Sequence, residues 1–360
     1  MAVLRIGNPS RVNDKMLSFT YERRFESHPL YSELWSIRKA IRETSRKRHE
    51  RISELKDRAT QIEIQINDDL FSQARVVAST LVSSNHRVLS GRKFSTLFID
   101  EAAQALEAAC WIAIRKAERV VLAGDHCQLP PTIKCIDAAR GGLSNTLMEK
   151  IVTSKPQSVS LLKVQYRMHQ AIMHFPSHWF YSGEVYAAPQ VHNRSILDYD
   201  TPLVWLDTSG QDFQEEFVGD SYGRINKSEA NLLLTELENY IKRIGAKRML
   251  DERIDFGIIS PYKAQVQYLR NEIKRSRFLR PFKAAITVHT VDGFQGQERD
   301  VIFISLVRAN DDGQIGFLSD LRRMNVAITR ARMKLVILGD ASTLTKHKFY
   351  RELFEYIKLL

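Results

Sequence analysis

Short, continuous runs of apolar residues recur along most of this chain, and amphipathic stretches separate them. The runs lie at residues 75–78, 96–99, 119–123, 203–206, 256–259, 301–304 and 335–338. Helical patterns such as Glu229 to Ile244 and Lys263 to Lys274 lie between several of them. A strand that is apolar on both faces has to be covered on both faces, as happens in a parallel sheet flanked by helices. The chain is therefore predicted to be an α/β protein built on parallel sheets.

A polar stretch at residues 153–157, which contains Pro156, is the best candidate for a domain boundary. A chain of 360 residues is long enough for two domains of ordinary size. We predict a first α/β domain over residues 1–155 and a second over residues 156–360. Apolar residues recur at helical spacing over about residues 30–70, which predicts a helical insertion in the first domain. The insertion is either one long helix or two helices that meet near Ser45 to His49.

The net charge of +11 and the pI near 9.5 limit the kinds of partner to be considered. An excess of lysine and arginine favours a polyanion such as nucleic acid, because binding releases counterions. The same charge also fits a solvated basic surface without a partner, and charge alone does not decide between the two. No apolar run approaches the ~20 residues that span a bilayer, and no secretory signal is evident. With three cysteines that lack metal-ligand spacing, these features predict a cytoplasmic protein without membrane contact.

Acidic and amide side chains follow two consecutive apolar runs. Asp100 and Glu101 come directly after the run at residues 96–99, which is the arrangement of a Walker-B site. In such a site the first carboxylate holds Mg²⁺ and the second takes a proton from the attacking water. The alternative is two acids favourably placed at the start of a helix. Gln128 follows the run at residues 119–123 and is suited to sensing a γ-phosphate, although the Pro-rich segment around it also fits an ordinary loop.

These segments resemble motifs II and III of superfamily-one helicases, and three later segments resemble motifs IV, V and VI. The later segments are QYRMH at 165–169, TVDGFQGQE at 290–298 and RMNVAITRAR at 323–332. All five occur in the order typical of the family, and the likeness runs from about residue 3 to the C terminus. The spellings DEAAQ and QYRMH are typical of the branch that contains the nonsense-mediated-decay helicase, senataxin and the immunoglobulin-mu-binding helicase. The resemblance implies two RecA-like parallel-sheet domains in tandem, the first incomplete.

The resemblance also implies ATP and Mg²⁺ as cofactors and assigns roles to single residues. Asp100 would bind Mg²⁺, Glu101 would be the general base, and Gln128 would contact the γ-phosphate. Tyr166 matches the family residue that stacks on adenine, although a packed strand aromatic is the ordinary interpretation of such a tyrosine. Further nucleotide contacts are expected from two residues of motif V, Gly296 and Glu298.

Two arginines match the arginine fingers of the family. Arg167 and Arg330 would neutralise charge on the transferred phosphoryl group, and such a finger can raise the rate by ~10³ or more. The alternative for each is a structural pairing with a carboxylate. Arg332 lies about half a helical turn from Arg330 and is expected to face elsewhere.

Hydroxyl and strand-end residues mark expected contacts to single-stranded DNA or RNA. Hydroxyl groups and strand-end amides suit sequence-independent phosphate contacts, and the ring of Tyr262 suits base stacking. The ordinary interpretation of Ser260-Pro261-Tyr262 is a turn. We expect weak, salt-sensitive and sequence-tolerant binding. The residues concerned are Ser79, Thr80, Pro130, Pro261, Tyr262, Thr287, His289 and Thr290.

The phosphate-binding loop G-x-x-x-x-G-K-[ST] is not found in these residues, because no Gly-Lys dipeptide occurs among them. The segment from Gly91 to Thr96 precedes a strand instead of following one and does not replace the loop. We expect an N-terminally truncated chain, with a divergent protein that dispensed with ATP as the alternative. A first domain without a central strand would expose sheet edges, which favours self-association.

Three functions compete at this stage. The first is the motor-core fragment of an ATP-dependent DNA or RNA helicase or translocase, inactive as an ATPase without the loop. The second is a pseudo-motor that binds nucleic acid or protein without hydrolysis. A metal-dependent nuclease is the third, but the carboxylate or histidine cluster of two-metal chemistry is missing from the sequence pattern. His169, His174 and His178 lie on one predicted helix at spacings of five and four, and are expected to be surface or packing residues instead of metal ligands.

Overall fold

The computed structural model describes residues 2–44, 48–219 and 223–360, which form two compact units. Unit 1 comprises Met1–Gly124 and Pro130–Thr153, and unit 2 comprises Asp125–Leu129 and Ser154–Leu360. The main break therefore lies two residues before the predicted boundary at residue 155. Residues 125–129 belong to unit 2 although unit 1 flanks them in sequence. Both units combine helices with parallel strands, so the predicted α/β class is confirmed.

Unit 1 contains two parallel strand pairs and a set of helices around them. β1 pairs with β2, and β3 pairs with β4. The predicted strands near residues 75–78, 96–99 and 119–123 are confirmed as β2, β3 and β4. The elements are β1 (Val3–Ile6), α1 (Tyr21–Glu26), α2 (Tyr31–Glu43), α3 (His49–Gln73), β2 (Val76–Ser79), β3 (Phe94–Ile99), α4 (Glu107–Ile114), β4 (Ala117–Leu122), α5 (Ile136–Ala138) and α6 (Leu147–Ser154).

The helical insertion of unit 1 consists of two helices that pack on each other. Leu34 of α2 is fully buried with Ile62 and Ile66 of α3, residues of the predicted apolar stripes. Ion pairs join the same two helices, Arg38 to Glu63 at 2.6 Å among them. The two-helix alternative is confirmed, and the residues between them, 45–47, lie outside the described part of the chain.

Unit 2 is built on a five-stranded parallel sheet in the order β11-β10-β12-β13-β7. Apolar clusters cover both faces of this sheet, as the continuous apolar runs predict. The strands are β5 (Val164–Gln165), β6 (Tyr186–Ala187), β7 (Leu203–Asp207), β8 (Glu216–Val218), β9 (Gly223–Ile225), β10 (Phe256–Ser260), β11 (Ile286–Thr290), β12 (Arg299–Ser305) and β13 (Ala331–Gly339). The helices are α7 (Gln170–Phe180), α8 (Lys227–Ile244), α9 (Ala246–Asp251), α10 (Lys263–Arg275), α11 (Val291–Phe294), α12 (Leu321–Ile328), α13 (Ala341–Leu344) and α14 (Lys348–Lys358).

The direction of these strands gives the sheet of unit 2 two chemically distinct ends. All neighbouring strands are parallel, so their first residues lie together at one end and their last residues at the other. We call these the amino end, near Glu298 and Arg332, and the carboxyl end, near Ser260, Thr290 and Ser305. Among the described helices, none is both long and apolar enough to cross a bilayer.

Candidate nucleotide and nucleic-acid sites

In unit 1, the two acids of the predicted Walker-B site follow β3 directly and are both exposed. Asp100 accepts a hydrogen bond on Oδ1 from the backbone N–H of Glu101 at 3.0 Å. The side chain of Glu101 accepts a hydrogen bond from Gln104 at 2.6 Å. Glu101 has a left-handed backbone (φ 52°), an uncommon conformation for a residue other than glycine. Exposed carboxylate oxygens are the donors that Mg²⁺ prefers, so the two acids fit the expected cation in donor type.

A glycine after β4 keeps the loops that follow β3 and β4 close together. A Cβ atom on Gly124 would lie 3.0 Å from the backbone N of Ala102 and 3.1 Å from that of Ala103. Both distances are shorter than ordinary contacts, so a larger residue here would push the loops apart. Gly124 therefore maintains the position of the DEAAQ segment in unit 1.

In unit 2, the short segment Asp125–Leu129 is held by residues that lie far away in sequence. Asp125 accepts hydrogen bonds on Oδ2 from the Tyr181 hydroxyl at 2.6 Å and from the Gln128 side chain at 2.7 Å. Asn325 donates to the Tyr181 hydroxyl at 2.7 Å and to the carbonyl of Cys127 at 2.9 Å. Burial, followed by the negative charge of Asp125, raises the pKa of Tyr181, so this hydroxyl stays a donor. Sequence reasoning gave no role to Tyr181, since no motif contains it.

The same segment brings Gln128 to Arg330. Arg330 lies just after α12, is 3% exposed, and donates from Nη2 to Oε1 of Gln128 at 3.2 Å. Its other nitrogens donate to the backbone carbonyls of Val326 at 3.0 Å and Gln297 at 3.2 Å. The guanidinium is therefore fixed in orientation by several acceptors, and one of them is the amide predicted to contact the γ-phosphate.

Glu298 connects two arginines at the amino end of the sheet. Arg167 donates from Nε to Oε2 of Glu298, and Arg332 donates from Nη2 to Oε1 at 2.6 Å. Arg332 also donates to Asp300 at 3.2 Å. Burial raises the pKa of Glu298, but the hydrogen bonds from Arg332 and Arg167 outweigh it and hold the pKa below its usual range. The carboxylate is therefore ionised and can orient both guanidinium groups.

The expectation that Arg332 faces away from Arg330 rested on a helix that the structure does not have at residue 332. It assumed that the helix of motif VI continues to residue 332, whereas α12 ends at Ile328 and Arg332 lies in β13. In the strand, its side chain reaches the carboxylate that Arg167 also uses. The carboxylate pairing considered for Arg167 is observed as well. For Arg330, the hydrogen-bond acceptors named above are an amide and backbone carbonyls.

The resemblance to helicases also predicts nucleotide contacts for Tyr166 and Gly296, which lie beside Arg167 and Glu298 in sequence. Tyr166 is 68% exposed, which leaves its ring open for stacking. Gly296 has a left-handed backbone (φ 75°) in the turn before β12. Both positions remain predictions.

The expected nucleic-acid residues of unit 2 separate into two groups. Ser260, Pro261, His289 and Thr290 lie at the carboxyl end of β10 and β11. The Ser260 hydroxyl is fully buried and has no hydrogen-bond partner within the described ranges. Thr287 lies near the start of β11, where its hydroxyl accepts a hydrogen bond from Arg299 at 3.0 Å. It is therefore separated from Thr290 along the strand.

Tyr262 also lies at the carboxyl end, but its ring is not open to a base. It is 4% exposed and its hydroxyl lies 3.5 Å from Nη1 of Arg308. In unit 1, Ser79 and Thr80 are exposed at the end of β2, and Thr80 donates to the Ser83 hydroxyl at 2.8 Å. Pro130 is half-buried where the chain re-enters unit 1.

A fully buried carboxylate lies beneath the carboxyl end. Glu229 accepts hydrogen bonds on Oε1 from the Ser305 hydroxyl at 2.6 Å and the backbone N–H of Val307 at 2.9 Å. Val307 has a left-handed backbone (φ 71°), which is strained for a β-branched residue. Burial raises the pKa of Glu229 to about 7. Glu229 therefore holds a strained strand end and titrates near neutral pH.

Asp125, His126 and Cys127 form the one grouping of three possible metal ligands found within the described ranges. The oxygens of Asp125 are already engaged by the backbone N–H of Cys127, by Gln128 and by Tyr181. Burial and then the charge of Asp125 raise the pKa of Cys127 to about 11, so the thiol stays protonated and is a poor ligand. These hydrogen bonds, which hold the segment Asp125–Leu129 in place, account for the closeness of the three side chains. His169 precedes α7 and caps it, because its Nδ1 accepts a hydrogen bond from the backbone N–H of Ala171 at 3.0 Å.

Comparison with known proteins relates the chain to nucleic-acid motors. Two family models, each described as an AAA domain, match residues 38–135 and 143–342. The chain is 35% identical to the DNA polymerase alpha-associated DNA helicase A of Saccharomyces cerevisiae, over 96% of this chain and 55% of that protein. It is 36% identical to the regulator of nonsense transcripts 1 homolog of Drosophila melanogaster, over 81% of this chain and 24% of that protein. It is also 36% identical to the DNA-binding protein SMUBP-2 of Mesocricetus auratus, over 75% of this chain and 27% of that protein. The chain thus spans from about a quarter to about half of the length of these relatives.

Proposed function

This chain belongs to the AAA-domain family and, within it, to the superfamily-one helicases that include the regulator of nonsense transcripts 1, and on that premise we propose that it is the motor core of an ATP-dependent helicase or translocase. Its substrate is a single strand of DNA or RNA, and the work it does on the strand is driven by ATP.

The hydrogen bond between Gln128 and Arg330 carries this proposal. It joins the amide predicted to sense the γ-phosphate to the guanidinium predicted to neutralise it. A finger arginine has to arrive with its fork already oriented, because stabilisation of developing charge depends on donors that need no reorganisation. Arg330 is held by the carbonyls of Val326 and Gln297, which supports that role.

Arg167 is proposed as the second finger, oriented by Glu298. Its Nη1 donates to the backbone carbonyl of Thr329 at 3.1 Å, one residue before Arg330. Arg167 also binds Glu298 while Arg330 binds the carbonyl of Gln297, so the two guanidinium groups have partners that are adjacent in sequence. This proximity supports a joint action on one phosphoryl group.

For unit 1, we propose that its two acids serve ATP hydrolysis. Asp100 would hold Mg²⁺, which when bound supplies positive charge to the phosphate oxygens. Glu101 would accept the proton of the attacking water. Its hydrogen bond from Gln104 orients the carboxylate, and Asp100 directly precedes it in the chain. Tyr166, with its exposed ring, would stack on the adenine.

The absence of a Gly-Lys dipeptide from these residues favours a second candidate. A lysine after a glycine-rich loop neutralises the β- and γ-phosphates, and without it nucleotide binding is weakened. We therefore propose that the 360 residues alone have negligible ATPase activity. A module that binds nucleic acid or protein without hydrolysis remains the alternative function.

A steady-state ATPase assay with single-stranded nucleic acid separates these candidates. We expect negligible turnover by the 360 residues, and turnover by a version extended upstream through a strand and a G-x-x-x-x-G-K-[ST] loop. The variant Glu101→Gln of the extended protein is expected to be inactive but folded. Robust turnover by the 360 residues that Glu101→Gln abolishes would contradict the need for the loop. An inactive extended protein that binds nucleotide would favour the non-hydrolysing module.

A further inference from the structure

A large aromatic side chain lies exposed at the carboxyl end of unit 2. Phe317 is 53% exposed and lies in the segment Gly316–Ser319, shortly before α12. Its ring centroid is 5.7 Å from that of Tyr262, which follows the end of β10 by two residues. The pair therefore lies beside the strand ends where nucleic-acid contacts are expected.

The backbone beneath Phe317 is fixed in place. Gly316 has a left-handed backbone (φ 54°), and a Cβ atom there would lie 2.3 Å from Nη1 of Arg308 and 3.1 Å from the Tyr262 hydroxyl. Arg308 is itself 3% exposed and pairs with Glu215 at 2.6 Å. A larger residue at this position would have a strained backbone and would have to displace the guanidinium of Arg308. The exposed ring is thus presented on a rigid, buried support.

A cation flanks the exposed ring. The guanidinium of Arg323 lies 5.6 Å from the ring centroid of Phe317. Its nearest carboxylates are Asp320 at 3.8 Å and Asp292 at 4.0 Å, both beyond hydrogen-bond distance. Its Nε is shielded from solvent and has no hydrogen-bond partner within the described part of the chain, whereas the side chain as a whole is 27% exposed. The solvent-accessible part of Arg323 can therefore donate to an anion beside the ring.

We propose that Phe317 is a stacking platform for a base of a single-stranded nucleic acid, with Arg323 donating to a phosphate beside that base; this rests on the proposed nucleic-acid function. An aromatic face next to a cation suits such a ligand, because every base has a π-face and every linkage a negative charge. The contact is sequence-tolerant, as translocation along a strand requires. Tyr262, which is buried, supports the platform instead of stacking on the base.

The positive net charge of the chain favours a nucleic acid over an apolar peptide as the occupant. The chain carries a net charge of +11, and Lys263 is exposed directly after Tyr262. A peptide would need only an apolar surface at residue 317, which leucine also provides. A stacked base requires an aromatic ring, so the two occupants predict different tolerances at this position.

Fluorescence anisotropy tests the platform with two labelled oligonucleotides of equal length, oligothymidylate and an abasic strand, across a salt series. We expect Phe317→Ala to weaken binding of oligothymidylate about tenfold and to leave binding of the abasic strand unchanged. Phe317→Trp should retain the affinity for oligothymidylate, and Phe317→Leu should behave like alanine. Arg323→Gln should reduce the slope of log affinity against log salt by about one.

Tyr199→Ala is the matched control, because Tyr199 is also an exposed aromatic residue. It lies toward the amino end of the sheet, since its neighbour Asp200 pairs with Lys334 in the first half of β13. The variant should bind both strands like the wild type. Equal affinities of wild type and Phe317→Ala for oligothymidylate would overturn the platform, as would full affinity of Phe317→Leu or an equal loss on the abasic strand. A wild-type protein that binds neither strand at low salt would instead overturn the proposed function itself. Circular dichroism checks that each variant is folded.

Discussion

The amino and carboxyl ends of the sheet in unit 2 use opposite chemistry. At the amino end, charged groups are locked to each other: Glu298 holds Arg167 and Arg332, and Arg330 has acceptors on three of its nitrogens. At the carboxyl end, the ring of Phe317 and the side chain of Lys263 are exposed, and Thr290 is half-buried. Other charges there lie buried, as in Glu229, or pair loosely, as in Arg323.

The difference corresponds to two different physical demands. Charge that develops on a phosphoryl group has to meet donors whose direction is already fixed. A strand that moves through the protein has to be held by contacts that form and break without regard to sequence. A rigid ionic network at one end and an exposed aromatic ring beside a loosely paired cation at the other meet these demands within one sheet.

The largest test of the amino end is the removal of Arg330 from an ATPase-competent, extended protein. Arg330→Ala should lower kcat by ~10³ or more, with little change in KM for ATP, because a finger acts mainly on charge that develops in the transition state. Steady-state kinetics measures both constants, and Arg330→Lys should restore only part of the rate, since lysine lacks the fork.

Arg332 cannot serve as the control for Arg330, because it shares Glu298 with Arg167. Arg275 is the better choice: its side chain is exposed on α10 and pairs with Glu272 three residues earlier. Arg275→Ala should have the kinetics of the wild type. A folded Arg330→Ala protein with unchanged kcat would remove Arg330 from the catalytic residues.

The second-largest predicted effect is the pH dependence of the free energy of unfolding, which we expect Glu229 at the carboxyl end to cause. The pKa of Glu229 is raised from an ordinary 4.5 to about 7, so its protonated form is favoured in the folded state. This stabilisation is complete below pH 4.5 and is lost as the pH rises through about 7. The free energy of unfolding of the wild type should fall by up to about 3 kcal/mol relative to that of Glu229→Gln over this range.

Urea unfolding at several pH values measures this difference. Glu236→Gln is the control, since Glu236 lies on the same helix α8 but is only half-buried. The backbone N–H of Val307 donates to Glu229 and not to Glu236. Parallel pH profiles of wild type and Glu229→Gln would show that the strained strand end is held without a titrating carboxylate.

The smallest effect should come from the shared carboxylate at the amino end. Glu298→Gln keeps the shape of the side chain but removes the charge that orients Arg167 and Arg332. We expect kcat of the extended protein to fall about tenfold, about 1.4 kcal/mol in barrier height, and less than for Arg330→Ala. In a double-mutant cycle with Arg167→Ala, the two losses should not add. Additive losses would mean that Glu298 acts independently of Arg167.

Sequence patterns predicted the strands of both units because continuous apolar runs have few alternatives to a covered parallel sheet. They placed Arg332 on a helix instead of in β13 because the end of α12 depends on the turn at Thr329 and Arg330, which no periodicity marks. They also could not reveal that Tyr262 is buried while Phe317 is exposed. The different exposure of the two rings follows from the packing of Gly316 against Arg308 and the Tyr262 hydroxyl. Gly316 and Arg308 are distant from Tyr262 in sequence, so no local pattern shows this contact.

The membership of residues 125–129 in unit 2 has a consequence for modular engineering. A fragment that begins at Ser154 would leave the Tyr181 hydroxyl without Asp125 as its acceptor, and would remove one of the acceptors of Arg330. Each lost hydrogen bond would cost about 0.5–1.5 kcal/mol. The most obvious place to cut the chain is therefore a poor one. A transplant of this unit between relatives has to carry those five residues along, for example as a graft or in a circularly permuted gene.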